Sequence, residues 1–379
     1  MDTNALSAIE LTRKLIGFKT INPPGDETGC IEFLADLLSG GGFKTRLYHF
    51  APGRASLVAT LGKNGRRLPL CFAGHVDTVP LGSAAWQREP FAGTIEDGKI
   101  YGRGASDMKS GIAALVVAAL EAASQIKGQE NLILVIVGGE ETGCEGSFHL
   151  AGLDGVLEKA GGVIVAEPTS NFPLVGHKGA LWLKAATEGV TAHGSMPECG
   201  VNAIYKAARA VDQLTQFDFG VPPHPHLGKP TLSVGTISGG MNINSVPDAA
   251  EIGIDLRTIP GINHADLLRE LAVYLGPEVS LEPVIDVEGI WTDPQHPWIQ
   301  EVYHVLTPIL GQRPEPKTVA FFTDAAALTQ AYPGAPIVIL GPGEPQLAHQ
   351  TDEYCFLSRI EEAVETYRQI AGRWYGIPG

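Results

Sequence analysis

Apolar and polar positions along this chain follow two different periods, and the pattern changes near Gly179 and again near Trp291. In the first stretch, Ala5–Phe18 carries apolar residues at helical spacing and stops at Asn22-Pro23-Pro24, while Glu27–Leu38 repeats the pattern and ends in the glycines 40 to 42. Both stops are chemical, since proline cannot continue a helix and glycine readily ends one. Short strands are predicted at Phe43–Tyr48, Ser56–Leu61 and Leu68–Ala73, and a long, mostly apolar helix over Asp107–Ser124. Asn131–Val137 and Val163–Ala166 are continuous apolar runs, the pattern of strands covered on both faces. Strands alternating with helices predict an α/β fold with a mainly parallel, helix-covered sheet.

From Gly179 the order is different. Strands are predicted at Leu181–Val190, Thr231–Ile237, Ala250–Arg257 and Val279–Pro283, and helices at Val201–Leu214 and Ala265–Leu275. That is a compact α+β order, long enough for a domain of its own. After Trp291, Pro297–Leu310, Asp324–Gln330, Ile337–Leu340 and Leu357–Tyr375 read as elements returning to the first sheet. The expectation is a discontinuous first domain, residues 1–178 and 291–379, with residues 179–290 inserted. The proline- and histidine-bearing stretch Val221–Pro230 reads as a surface loop, with His224 and His226 solvated.

Composition narrows the class. The chain has 379 residues, 44% of them apolar and 18% charged, as expected of an ordinary soluble globular protein of about two domains. Its formal net charge of -15 argues against a nucleic-acid partner, whose phosphates need a basic face. The five cysteines form no Cys-x-x-Cys pair, which argues against a disulfide framework and a cysteine zinc site, and for a reducing cytoplasm. The first residues, MDTNALSAIE, carry no basic and apolar leader, and no apolar run is expected to reach the length of a membrane span.

The candidate chemistry lies at the ends of predicted strands, where open α/β sheets place their sites. In CFAGHVDTVP, His75 and Asp77 are two residues apart behind an apolar run; in a strand they would share one side, and a carboxylate on one imidazole nitrogen fixes the tautomer of a metal-binding histidine. A satisfied polar turn is the plainer reading of that pair. Asp107 sits in the glycine-rich YGRGASDMKSG, as a helix N-cap or as a ligand. Glu140 and Glu141 follow LILVIVGG; adjacent carboxylates repel and strand side chains diverge, and a cation on one of them removes the conflict. Glu167 closes VIVAEPT, and His349 lies in LAHQTDEY after a Gly-Pro-Gly loop. Histidines and carboxylates without cysteine suit zinc, cobalt or manganese better than magnesium or calcium. One bridging carboxylate with two ligands per metal would make a two-metal hydrolytic site, with one carboxylate kept off the metals as the base.

The motifs GHVDTVP, YGRGASDMKSG, GGEETG, AEPT and AHQTDEY resemble those of the dinuclear-zinc deacylase and peptidase family, which includes acetylornithine deacetylase, succinyl-diaminopimelate desuccinylase, aminoacylase and carboxypeptidase G. The resemblance implies two divalent metal ions, with Zn2+ first and Co2+ or Mn2+ as alternatives. It implies His75 and Glu167 on one metal, Glu141 and His349 on the other, and Asp107 between them. Glu140 would be the general base and Asp77 would orient His75. The inserted domain would be a two-layer α+β lid and dimerisation domain. Within it, TAHGSMPECGVNAI resembles the segment whose histidine, here His193, reaches the neighbouring subunit's active site to stabilise the oxyanion. GGMNINSVPD and DLRT make Asn244 and Arg257 candidates for the substrate's carboxylate and carbonyl, with a turn residue and an ion pair as the plainer readings. Asp324, in FFTDAAAL, falls where family members place a substrate-side loop. Cys144 departs from the small or serine residue common after the paired glutamates, and Cys199 lies near His193.

The expected function is therefore cleavage of the amide of an N-acyl amino acid by a cytoplasmic, metal-dependent homodimer that engages neither nucleic acid nor membrane. A peptidase (dipeptidase, aminopeptidase or glutamate-releasing carboxypeptidase) is the alternative within the same chemistry, acting on short peptides. A non-catalytic metal- or ligand-binding protein on the same fold is the alternative from another class, and the intact Glu140 speaks against it.

Overall fold

A computed structural model describes residues 6–62, 67–126 and 131–376; Ala5, the expected start of the first helix, lies outside them. The chain divides into two compact units. One comprises Met1–Gly176, Thr292–Lys317 and Thr323–Gly379, and the other His177–Trp291 with Thr318–Phe322.

The first unit is built on a mixed sheet. In spatial order its strands include Lys44–Ala51, Arg54–Leu61, Leu132–Val137, Leu70–His75, Gly162–Val165 and Ile337–Ile339. Leu132–Val137, Leu70–His75, Gly162–Val165 and Ile337–Ile339 run parallel, while Arg54–Leu61 pairs antiparallel with both of its neighbours. All six residues of Leu70–His75 and all four of Gly162–Val165 are buried, which is why these strands read as unbroken apolar runs. The parallel order sends the C-terminal ends of these four strands to one edge of the sheet, and turns that leave that edge carry the chemistry.

The helix Ser110–Ile126 packs against Ala8–Ile16, Leu357–Tyr375 and the strand Leu70–His75. Two expectations change here. By length and composition, Ala105–Ile126 is long and apolar enough to cross a membrane, although no such run was expected. Its apolarity has another cause in this fold: 67% of its apolar 18-residue window is buried inside the protein, so most sides of the helix meet other elements. The regular helix also starts at Ser110 rather than Asp107, because Asp107 has extended backbone angles, φ -118° and ψ 95°. A short helix, Glu145–Ala151, and a small antiparallel sheet of Tyr354–Phe356, Lys99–Tyr101 and Thr94–Glu96 escaped the sequence reading. Three-residue strands are too short to display an alternating pattern.

The second unit is a four-stranded antiparallel sheet in the order Thr231–Gly239, Ala249–Thr258, Gly179–Glu188, Val279–Val287. The helices Ala203–Leu214 and His264–Leu275 bury an apolar stripe on it, with Ala207, Leu271 and Ile252 fully covered in the shared core. Asn202 and Asn263 cap the two helices through their side-chain oxygens. His226 is exposed and His224 half-exposed, and both also lie on Trp291: His226 stacks on the indole with centroids 4.7 Å apart, and His224 meets it edge-on at 4.8 Å.

Candidate metal centre

His75 is the last residue of its strand and is fully buried. The strand ends there, so the same-face alternation expected for His75 and Asp77 does not set their geometry. The chain turns after His75, and the turn brings the pair together: Nδ1 lies 3.0 Å from the Asp77 backbone oxygen and 3.4 Å from its Oδ1. The other ring nitrogen, Nε2, faces carboxylates, with Asp107 Oδ1 at 3.3 Å, Glu167 Oε1 at 3.9 Å and Glu140 Oε2 at 4.0 Å.

Asp77 also organises the next turn. Its Oδ1 accepts the backbone N–H of Glu140 at 3.2 Å, and its Oδ2 accepts that of Glu141 at 3.2 Å and Asn22 Nδ2 at 2.9 Å. Asn22 Nδ2 also donates to Thr142 Oγ1 at 2.8 Å. The strand before this turn ends at Val137, so Glu140 and Glu141 are not bound to opposite faces of a strand as expected. Instead Glu140 is directed toward His75, and Glu141 Oε2 lies 3.0 Å from His349 Nε2. Asn22 had registered in the sequence only as part of a helix stop.

His349 reaches the same cluster from a long turn. Its Nε2 is 3.4 Å from Asp107 Oδ2, and its backbone is left-handed at φ 65°, unusual for a residue with a β-carbon. The Gly-Pro-Gly loop before it passes so close to its neighbours that side chains would not fit: a Cβ at Gly341 would fall 2.2 Å from the Ala166 oxygen, and one at Gly343 2.1 Å from the Ser106 oxygen. Glycine there lets the His349 segment lie against the segments that carry Glu167 and Asp107.

The electrostatics show an excess of buried negative charge. Burial and the neighbouring carboxylate Glu167 push Glu140 well above the usual carboxylate range; burial and Asp107 push Glu141 up to about 7. Glu167 is likewise raised by burial, against the pull of His75. Burial opposes charge on His75, but hydrogen bonds to Asp107 and Asp77 prevail and raise it. Hydrogen bonds to Asp107 and Glu141 raise His349 to about 10. Burial works against ionisation of Asp107 and Asp77 too, yet the imidazoles beside them hold both below the ordinary range.

Two imidazoles do not satisfy this many carboxylates. Glu141 Oε1 and Glu167 Oε1 are buried acceptors with no donor among the described residues. Buried carboxylate oxygens are costly unless paired or coordinating a cation. One ligand atom from each of His75, Asp107 and Glu141 can be chosen so that all lie within 4.8 Å of one another. The donor set is nitrogen and oxygen only, which fits divalent zinc, cobalt or manganese. The residues present therefore fit a bound metal.

Asp324 lies at the margin of this cluster. Ser147 Oγ donates to its Oδ1 at 2.6 Å, its Oδ2 has no partner, and burial raises it to about 6. Cys144 is fully buried, left-handed at φ 60°, with Sγ 3.9 Å from Glu140 Oε1. Burial raises its thiol well above the usual value, the opposite of what a nucleophilic thiolate needs.

The remaining sequence candidates belong to the second unit. His193 and Asn244 are brought side by side: His193 and Ser245 form an isolated bridge, and Gly194 N–H donates to the Asn244 oxygen at 2.7 Å. His193 is exposed, with Nδ1 2.7 Å from Ser195 Oγ. Arg257 has Nε 2.9 Å from Asp255 Oδ1 and its guanidinium carbon 5.6 Å from the centre of the Trp182 ring. It is thus already paired along its own strand.

Comparison with known proteins decides the family. The model of peptidase family M20/M25/M40 matches residues 71–373. The chain belongs to this family. It is a metal-dependent hydrolase related to deacetylases, desuccinylases and peptidases. Among curated family relatives, acetylornithine deacetylase from Proteus mirabilis is 31% identical over 96% of this chain and 95% of its own length. A probable succinyl-diaminopimelate desuccinylase from Staphylococcus epidermidis is 28% identical over 96% of both. Among solved structures, an M20 family metallo-carboxypeptidase from Sulfolobus solfataricus superposes with a TM-score of 0.80 at 17% identity, covering 99% of this chain and 100% of that one. A dinuclear metal binding M20 peptidase from Bacillus subtilis gives 0.70 at 13% identity, covering 98% of both chains. At such identities the structural likeness speaks for the fold alone.

Proposed function

We propose that this chain removes the acyl group from an N-acyl amino acid by hydrolysis, releasing a carboxylic acid and a free amino acid. The observation that carries this reading is the shared carboxylate of Asp107, whose two oxygens face two different imidazoles. On that basis His75 and Glu167 would hold one divalent cation, Glu141 and His349 the second, and Asp107 both. Such cations, with Zn2+ first and Co2+ or Mn2+ compatible, supply Lewis acidity to the scissile carbonyl and to water.

The chain's own groups do the rest. Glu140 lies beside these residues, 4.0 Å from His75 Nε2, and its buried, carboxylate-rich surroundings raise its affinity for a proton. It takes a proton from the attacking water and delivers it to the departing amine nitrogen. Asp77 fixes the His75 tautomer, so that Nε2 stays free to bind. His193 of a second copy in a homodimer would donate to the carbonyl oxygen as negative charge grows there. Asn244 and Arg257 would bind the substrate's carbonyl and carboxylate.

Deacylation is favoured over peptide cleavage by the curated relatives, which match this chain over nearly their whole length and are named as deacetylase and desuccinylase. The test is a panel of N-acetyl, N-succinyl and N-formyl amino acids, dipeptides and an N-aroyl-glutamate. Metal-stripped protein is assayed before and after zinc or cobalt is restored. Metal-restored release of amino acid from one acyl class supports the reading. Cleavage confined to the dipeptides overturns it in favour of a peptidase.

A further inference from the structure

A buried ion pair outside the ligand set links the turns that carry three of the proposed ligands. Arg103 and Glu353 are each about 1% exposed, and Arg103 Nη1 donates to Glu353 Oε2 at 2.7 Å. Glu353 spends both oxygens on one loop: Oε1 accepts the backbone N–H of Ser106 at 2.8 Å and of Asp107 at 3.0 Å, and Oε2 accepts that of Gly104 at 3.1 Å. The carboxylate thus holds the backbone of Asp107 itself. Arg103 spends its fork on the other two turns. Nη1 donates to the Gln350 oxygen at 3.1 Å, and Nη2 to the Pro80 oxygen at 3.0 Å and the His349 oxygen at 3.5 Å. Pro80 lies in the segment leaving His75 and Asp77, and His349 is the left-handed residue whose backbone must be held against its own preference.

We propose that the Arg103–Glu353 pair is a positioning device for the metal centre, setting the separation of His75, Asp107 and His349 so that the Asp107 carboxylate can serve two cations at once. The inference rests on the ligand assignment above. A buried ion pair is poor evidence for stability, since apolar residues of similar volume often do as well. This pair instead satisfies six backbone groups in three turns, a task that apolar side chains cannot perform. Lysine at 103 would keep the charge and lose the planar fork, so it cannot reach several carbonyls in the same way.

The experiment is metal titration of stripped full-length protein, with cobalt electron paramagnetic resonance of the reloaded protein, for Glu353→Gln, Glu353→Asp and Arg103→Lys. Val302→Ala, a core change on the helix Pro297–Leu310, serves as a destabilised control. The variants are expected to bind a first metal nearly as wild type and to lose about 10–100-fold in affinity for the second. The magnetic coupling between the two cobalt ions should weaken, while Val302→Ala keeps both properties. Wild-type affinity for both metals with unchanged coupling overturns the proposal. So does failure of all three variants to fold where Val302→Ala folds, because the pair would then serve folding alone. Asp107→Asn run in parallel separates the two claims: if it too binds two coupled cobalt ions, the ligand assignment fails rather than the positioning role.

Discussion

His75 and His349 face opposite oxygens of one carboxylate: His75 Nε2 is 3.3 Å from Asp107 Oδ1, and His349 Nε2 is 3.4 Å from Asp107 Oδ2. A single ion pair would leave one oxygen for solvent or a backbone donor. Here the carboxylate is divided between two imidazole nitrogens from distant parts of the chain, the arrangement that the proposed two-cation site calls for.

Removal of the proposed base should separate binding from chemistry. Glu140→Ala is expected to lower kcat by at least about 10²–10⁴-fold, the usual worth of a positioned acid–base group. Metal content should stay at the wild-type level, because the ligand set is intact. Elemental analysis beside steady-state kinetics checks both; a variant that loses metal in step with activity would make Glu140 a ligand instead.

Asn22→Ala should act at a distance. It removes the donor to Asp77 Oδ2, the carboxylate that holds the turn of the paired glutamates, and to Thr142 Oγ1 within that turn. A cost of about 1–3 kcal/mol is expected from the two lost hydrogen bonds, one of them to a carboxylate. Thermal denaturation gives the stability change, and a fall in kcat at near-constant KM would show that the turn, rather than the substrate pocket, has shifted.

Metal-stripped protein should lose stability as pH rises. Glu141 is held at about 7 against an ordinary value of 4.5, and His349 at about 10 against 6.5. Glu140, Glu167 and His75 are raised in the same sense. Raised groups bind more protons folded than unfolded, so their contribution is complete in acid and disappears as pH climbs through the folded values. Asp77 and Asp107 are shifted the other way and matter only in the acid range below their ordinary value of 3.8. Tm of stripped protein is therefore expected to fall from about pH 5 to about pH 9, with restored zinc raising it more at the alkaline end. A Tm that holds steady or rises over that range would contradict the charge balance described for the cluster.

His193→Ala should impair turnover severely while the protein remains folded, since His193 is exposed and its removal opens no cavity. Mixed with Glu140→Ala subunits, it should regain part of its activity, because one hybrid site would combine an intact Glu140 with an intact His193. Full activity of the single variant would dismiss the role.

The central parallel strands and their burial were legible because each is specified by its own residues: an unbroken apolar run is its own evidence. Leu357–Tyr375 likewise appears with the expected bounds. The site was legible as residue types at strand ends, but not as a geometry. Same-face alternation did not join His75 to Asp77, and opposed strand faces did not separate Glu140 from Glu141, since both pairs lie partly or wholly in turns. Asn22 and Glu353 escaped for a related reason. Their partners are 55 residues away at Asp77 and 250 away at Arg103, and no local pattern marks such a pairing.

The sequence by itself determined the longer helices and strands, the polar turns that interrupt them, and a donor set of imidazoles and carboxylates without thiolate. Those are properties of neighbouring residues, and periodicity expresses them directly. Only the tertiary structure decided that one aspartate stands between two histidines, that Asp77 holds the Glu140–Glu141 turn, and that Arg103 and Glu353 link three loops. Each of these needs several chain segments closed onto one edge of the sheet, and what holds them there is the packing of the whole first unit rather than the preference of any segment within it.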